Sequence, residues 1–246
     1  MWKFLPRRIE GEPARVPDGI RIYAIGDVHG RADLLDQVLT RIDADLAAYP
    51  TPRATQVFLG DYIDRGPDSR AVLERLIGRS RTHDTVCLKG NHETYLLEFL
   101  KNPSILDEWQ SYGAFETLMS YGVAPSRNAD PAAQARLAAA LHCALPGSHR
   151  QFLETLRRCF VCGDFLFVHA GVRPGIPLTQ QRDEDLLWIR EEFLRFEGGF
   201  GKIIVHGHTP VLEPDIRPNR INIDTGAYAT GRLTCLMIEG DEMLFV

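Results

Sequence analysis

The feature that most constrains this chain is a rhythm, repeated three times within its first hundred residues: an apolar, β-branched run, a glycine-containing polar turn, then leucines at helical spacing. IRIYAI (20–25) stops at Gly26, and residues 31–48 then carry Leu34, Leu35, Val38, Leu39, Ile42 and Leu46 on one helical face. TQVFLGD (55–61) precedes a second helical pattern over 68–79, and TVCLKGN (85–91) precedes TYLLEFL (94–100). Strands alternating with helices in this way predict parallel pairing with helical crossovers, hence an α/β protein.

Residues 102–157 break the rhythm. They are rich in Ala, Leu and Arg, are interrupted by prolines at 103, 125, 131 and 146, and read as a helical insertion forming one wall over the strand ends. RCFVCGDFLFVHA (158–170) then predicts a hairpin turning at Gly163–Asp164, and KIIVHG (202–207) a further strand. The end, RINIDTGAYATGRLTCLMIEGDEMLFV, holds three short β-rich runs that read as a second, antiparallel-rich sheet. The expected organisation is a tail over 1–18 and a single domain over 19–246, built as a two-sheet α/β/β/α sandwich with the 102–157 insertion.

Size and charge narrow the function classes. A chain of 246 residues can bury about three quarters of its unfolded surface and needs no staple. The five cysteines (87, 143, 159, 162, 235) are an odd set, and the lone C-x-x-C at 159–162 lies in a β-like run without a second pair, so structural thiols are expected rather than a zinc site. The net charge of −5 gives no global attraction to nucleic acid or to an anionic membrane, and neither partner is expected. No apolar stretch reaches the ~18 residues of a membrane span, and the N-terminus lacks a signal-peptide core, so a cytoplasmic location is expected.

An anionic substrate must therefore be met by a local site, and the strand ends provide candidates. GDVHG (26–30), GDYIDRG (60–66), GNHE (90–93), VHAG (168–171) and HGHT (206–209) each end a predicted strand with metal-capable side chains. In open α/β sheets, ligands bind beyond the carboxyl ends of strands. Convergence of these five ends gathers Asp27, His29, Asp61, Asn91, His169 and His208. Carboxylate, imidazole and amide ligands without thiolate suit Mn, Fe or Zn. Six ligands exceed the three protein ligands of a single catalytic zinc, whereas a metal pair needs a bridging group that a carboxylate can supply.

The set GDVHG, GDYIDRG and GNHE resembles the signature of the phosphoprotein phosphatase family of calcineurin-like metallophosphoesterases, in detail its bacterial and phage serine/threonine protein phosphatases. With VHAG, HGHT and NIDTGA, the resemblance covers residues 20–238. It implies the metallo-dependent phosphatase fold and two divalent metal ions, Mn or else Fe or Zn. It also implies roles: Asp27 and His29 on the first metal, Asp61 as bridge, and Asn91, His169 and His208 on the second. His92 would protonate the leaving alkoxide with Asp64 orienting it, while Arg65 and Arg190 would hold phosphate oxygens. His206 and Asp224 are expected as supporting residues. Attack by a metal-bridged hydroxide on a phosphoprotein or phosphopeptide is the implied reaction.

Two other functions compete. Hydrolases of diadenosine tetraphosphate use much the same metal site, but those relatives usually lack the acid Asp and carry GNHD; Asp64 and Glu93 here favour the protein phosphatase. A non-catalytic binding relative should have lost a ligand or the acid, and none is lost.

Overall fold

The computed structural model describes residues 13–246. Its first strand, β1 (Ile20–Ile25), alternates in the way a strand between two apolar layers must. Ile22 and Ala24 face a second sheet, while Tyr23 and Ile25 face helices. β1 pairs in parallel with β2 (Arg53–Phe58), which pairs in parallel with β3 (Asp84–Cys87). The crossovers are α1 (Ala32–Ala48) and α2 (Ser69–Arg79), whose apolar faces (Leu35, Val38, Ile42, Leu73, Leu76) cover the outer side of this sheet. α3 (Asn91–Phe99) begins three residues earlier than the leucine pattern indicates, because the Glu93 carboxylate reaches back to accept the Gly90 backbone N–H at the N-cap. Asn91 and His92 thereby lie in its first turn.

The insertion is helical as expected. It comprises α4 (Leu106–Trp109), α5 (Ala114–Ser120), α6 (Pro131–Ala144) and α7 (Gly147–Glu154), and its Trp109, Leu118, Leu141 and Leu153 are buried in the helix-side core. The hairpin β4 (Cys159–Cys162) and β5 (Phe165–Val168) turns at Gly163–Asp164. Then follow α8 (Asp183–Trp188), α9 (Glu191–Leu194), β6 (Ile203–His206), β7 (Asp215–Ile216), β8 (Arg220–Asn222), α10 (Ala227–Thr230), β9 (Cys235–Glu239) and β10 (Glu242–Phe245).

The two five-stranded sheets are ordered β10-β9-β1-β2-β3 and β4-β5-β6-β8-β7. Here the structure corrects the expectation for the C-terminal runs. Only β8 joins the second sheet; β9 pairs antiparallel with β1, and β10 with β9, so both extend the first. The second sheet is parallel through β5, β6 and β8, with antiparallel strands at each edge. Apolar side chains of both sheets (Val57, Leu59, Phe165, Phe167, Val205, Ile223, Leu236) interdigitate between them, and α8 and α9 cover the outer face of the second. The result is the α/β/β/α sandwich.

The tail expected over 1–18 lies partly outside the described residues. Residues 13–18 are not simply superficial: Ala14 and Val16 are buried in the core between the sheets. Among the described residues no helix is long and apolar enough to cross a membrane. The five cysteines are free thiols.

Candidate active site

Each candidate ligand stands just beyond a strand. Asp27 and His29 follow β1, Asp61 follows β2, Asn91 opens α3 after β3, His169 follows β5 and His208 follows β6. All six are buried, and they meet around one carboxylate. Asp61 Oδ2 lies 3.5 Å from His29 Nε2, and its Oδ1 lies 3.4 Å from His169 Nε2. Asn91 Oδ1 is 2.9 Å from His169 Nε2 and 3.0 Å from His208 Nδ1. Asp27 is tied in through Oδ2, which accepts the His208 backbone N–H at 3.0 Å.

Two groups could each hold a metal ion, His29–Asp61–His92 and Asp61–His169–His208, with Asp61 common to both. The first group contains His92, expected as an acid, in place of Asp27. The tautomers argue for cations. His29 and His169 each donate Nδ1–H to a backbone carbonyl, of Ile63 and Leu59, both at 2.9 Å. Their Nε2 atoms are left as bare acceptors aimed at a carboxylate, an arrangement that a cation resolves. Asp27 Oδ1 and His208 Nε2 are buried without a hydrogen-bond partner. Burial pushes the His29 and His169 pKa values down, and that of His208 to about 2, so these imidazoles are neutral. Burial, then the nearby Asp224 and Asp61 charges, push Asp27 up. Lone pairs crowd this centre and positive charge is scarce. The donor set fits divalent metal ions.

Close backbone packing holds the candidate ligands there. A Cβ on Gly207 would collide with Asp27 Oδ1, and one on Gly90 with Asp61 Oδ1, so neither position accepts a side chain. His29, Asp61, Asp64, Arg65 and His208 adopt φ between 44° and 70°, the left-handed region L-residues rarely occupy. Glu93 fixes the Asp61 turn: its carboxylate accepts the backbone N–H groups of Asp61 (3.0 Å), Tyr62 (2.8 Å) and Gly90 (2.8 Å).

His92 Nδ1–H donates to Asp64 Oδ2 at 2.7 Å, which points Nε2 toward Asp61 (3.7 Å) and Arg65 Nη2 (3.3 Å). Burial alone would depress His92, but the Asp61 charge and the Asp64 hydrogen bond outweigh it and raise its pKa. Asp64 is itself saturated by residues the sequence did not reveal. Trp109 Nε1–H donates to its Oδ2 at 2.7 Å, and the Thr117 hydroxyl donates to its Oδ1. These partners lie 45 and 53 residues away, beyond any local pattern. The wall expected from the insertion is thus present as contacts on the His92–Asp64 pair.

Arg65 is half-buried beside His92, with its guanidinium 4.8 Å from the centre of the Tyr228 ring. Arg190 is exposed in the break between α8 and α9 rather than on a helix face, and its charge adds to the depression that burial imposes on His169 and His208. His206 is buried against the Phe193 ring (4.8 Å), with Nε2 unpartnered and its pKa lowered to about 3 by burial. Asp224 accepts the Gly226 N–H at 2.9 Å, forming the expected turn.

Known proteins resemble this chain over most of its length. Bis(5'-nucleosyl)-tetraphosphatase PrpE [asymmetrical] of Anoxybacillus flavithermus is 28% identical over 236 residues, covering 86% of this chain and 88% of that one. The protein of the same name from Oceanobacillus iheyensis is 25% identical, covering 92% of each. A crystal structure assigned provisionally as a diadenosine tetraphosphatase superposes with a TM-score of 0.62 at 21% identity, over 95% of this chain and 97% of that one. The cold-active protein-tyrosine phosphatase of a Shewanella species superposes with a TM-score of 0.57 at 15% identity, over 94% and 80%. Calcineurin-like phosphoesterases use divalent metal ions, and their family profile matches residues 20–235. The chain belongs to the calcineurin-like phosphoesterase family.

Proposed function

We propose that this metallophosphoesterase hydrolyses dinucleoside polyphosphates such as diadenosine tetraphosphate. The observation that carries the chemistry is the pair of ligand groups sharing Asp61, with acceptor lone pairs facing one another. The substrate class is supported by curated relatives similar over 86–92% of this chain, which are named as bis(5'-nucleosyl)-tetraphosphatases. Glu93, which in the sequence favours a protein phosphatase, is taken up by three backbone amides, while Asp64 is held against His92 by Trp109 and Thr117.

Asp27 and His29 would hold one divalent ion, Asn91, His169 and His208 the other, with Asp61 common to both; manganese suits this mixed oxygen and nitrogen set, as do iron and zinc. Such ions supply charge against the phosphoryl oxygens and acidify water near neutral pH. The chain does the rest. Arg65 offers a planar donor fork to the phosphate, and Arg190 adds positive charge at the opposite side. Asp64 fixes the His92 tautomer, so that Nε2 can hold a proton for the departing oxygen.

A second reading, a serine/threonine protein phosphatase, is favoured by that same acid pair. An alkoxide leaving group depends on that proton far more than a less basic nucleotide phosphate does. Assaying purified protein with Mn²⁺ on diadenosine tetraphosphate and on a phosphoserine/phosphothreonine peptide panel separates the two. The dinucleotide should be turned over with the higher kcat/KM, and all turnover should stop on chelation. Preference for phosphopeptides would transfer the assignment to the second reading.

A further inference from the structure

Two exposed aromatic rings stand at the two ends of the ligand cluster, each accompanied by an arginine. At the His29 end, the Tyr228 ring is 39% exposed and lies 5.5 Å from the His29 ring, edge to face. It borders a cavity of about 460 Å³ lined by Gly30, Arg31, Asp33, Arg65 and Asp68. At the His208 end, the Trp188 ring is 37% exposed, 6.3 Å from the His208 ring and braced edge to face by Tyr95 at 5.5 Å. Arg190 follows it by two residues, and its charge reaches His208, His169 and Asp224. His29 and His208 belong to different ligand groups joined through Asp61, so the rings bracket the centre where phosphate would react.

Large aromatic side chains exposed beside a buried polar centre call for a partner. A phosphoserine peptide has no obligatory flat ring on either side of its phosphate. A dinucleoside polyphosphate has one at each end and anionic charge between, matching the order ring, arginine, cluster, arginine, ring. The cavity beside Tyr228 has the volume of a small-ligand site, and its Arg65 suits the phosphate next to a nucleoside, while Arg31 is paired with Asp33. Base stacking on aromatic rings is a sequence-tolerant source of affinity.

We propose that Tyr228 and Trp188 are the two nucleobase platforms of the substrate site, with the polyphosphate running between them past Arg65 and Arg190. This rests on the dinucleoside polyphosphate reading above and names the side chains that would select that class.

The test uses the full chain with Mn²⁺ and the variants Tyr228→Ala, Tyr228→Phe, Trp188→Ala and Trp188→Phe. Each alanine variant should raise KM for diadenosine tetraphosphate about tenfold, the scale of one lost stacking contact. Its kcat should change less than about twofold, and each phenylalanine variant should return KM close to the wild-type value. Inhibition by inorganic tripolyphosphate, which has no ring, should keep the same Ki in all four. Binding of a methylene-bridged, non-hydrolysable dinucleoside tetraphosphate, followed by calorimetry, should weaken in parallel with KM. A wild-type KM in either alanine variant overturns the proposal, as does an equal loss of tripolyphosphate affinity, which would mean a distorted site. Failure of the wild-type protein to cleave any dinucleoside polyphosphate would instead sink the underlying functional reading, so the two failures are distinguishable.

Discussion

Six non-glycine residues among those described hold a positive φ, and all but Asn128 belong to the candidate site. Left-handed backbone at such positions costs on the order of 1–3 kcal/mol each and persists where its surroundings over-determine it. Without a cation the centre would carry a second cost in Asp27, whose buried Oδ1 has no hydrogen-bond partner and whose carboxylate faces Asp61 and Asp224. Replacing Asp27 by Asn should therefore have opposite effects in two conditions. Without metal, the variant should melt at a higher temperature than wild type, relieved of a penalty of about 1–3 kcal/mol. With Mn²⁺ it should melt lower, and its turnover should fall. Thermal melts with EDTA and with Mn²⁺ check this, and a lower melting temperature in both would refute it. The candidate ligands were legible in the sequence because each ends a strand and carries chemistry that a bland turn does not need. Trp109 and Thr117 were not, because their contact with Asp64 depends on how a helical insertion folds back over the sheet.

At the scale of the element, the insertion is more than cover. Through α4 and α5 it delivers Trp109 and Thr117 to Asp64, and the Gly113 carbonyl accepts the Arg65 backbone N–H at 3.4 Å. Trp109→Phe preserves the buried ring yet removes the indole donor. Its kcat on an alkyl phosphomonoester should fall about tenfold with KM little altered, a fraction of what a general acid contributes. Thr117→Val should behave alike, and stability should drop by about 1–3 kcal/mol in each as Asp64 loses a donor. An unchanged kcat in Trp109→Phe would show that His92 needs no such support. The start of α3 teaches a related lesson. Leucine spacing locates a helix body, but the Glu93 carboxylate, accepting the Gly90 backbone N–H at the N-cap, decides that Asn91 and His92 are helical. Glu93→Gln sets an amide donor against backbone donors; it should lower stability by about 1.5–3 kcal/mol and weaken Mn²⁺ binding, both readable by calorimetry.

Over the whole molecule, the candidate ligands come from both sheets: Asp27, His29, Asp61 and Asn91 from the first, His169 and His208 from the second. Metal binding should therefore stabilise the two sheets together. At an ion concentration 100 times Kd the gain is about 2.7 kcal/mol, and amide exchange should slow in the loops after β1 and β6 alike. Slowing in one sheet alone would contradict a shared centre. The layered α/β architecture was legible because alternating apolar runs and helical patterns impose it. The placement of β9 and β10 was not, since a strand at 235–239 pairing with one at 20–25 is a choice no local pattern encodes.

The short segment around Val16 has a mechanical consequence. Its backbone is bonded to Asp164 in the β4–β5 turn and to Gly240 in the β9–β10 turn, so it stitches the two sheets at the rim away from the ligand loops. A sandwich laced at one rim by main-chain bonds and at the other by ligand side chains has little freedom to gape or shear. Adaptation to differently shaped guests must then fall to whatever swivels at the mouth, the arginine and aromatic side chains, while the frame behind them keeps its gauge.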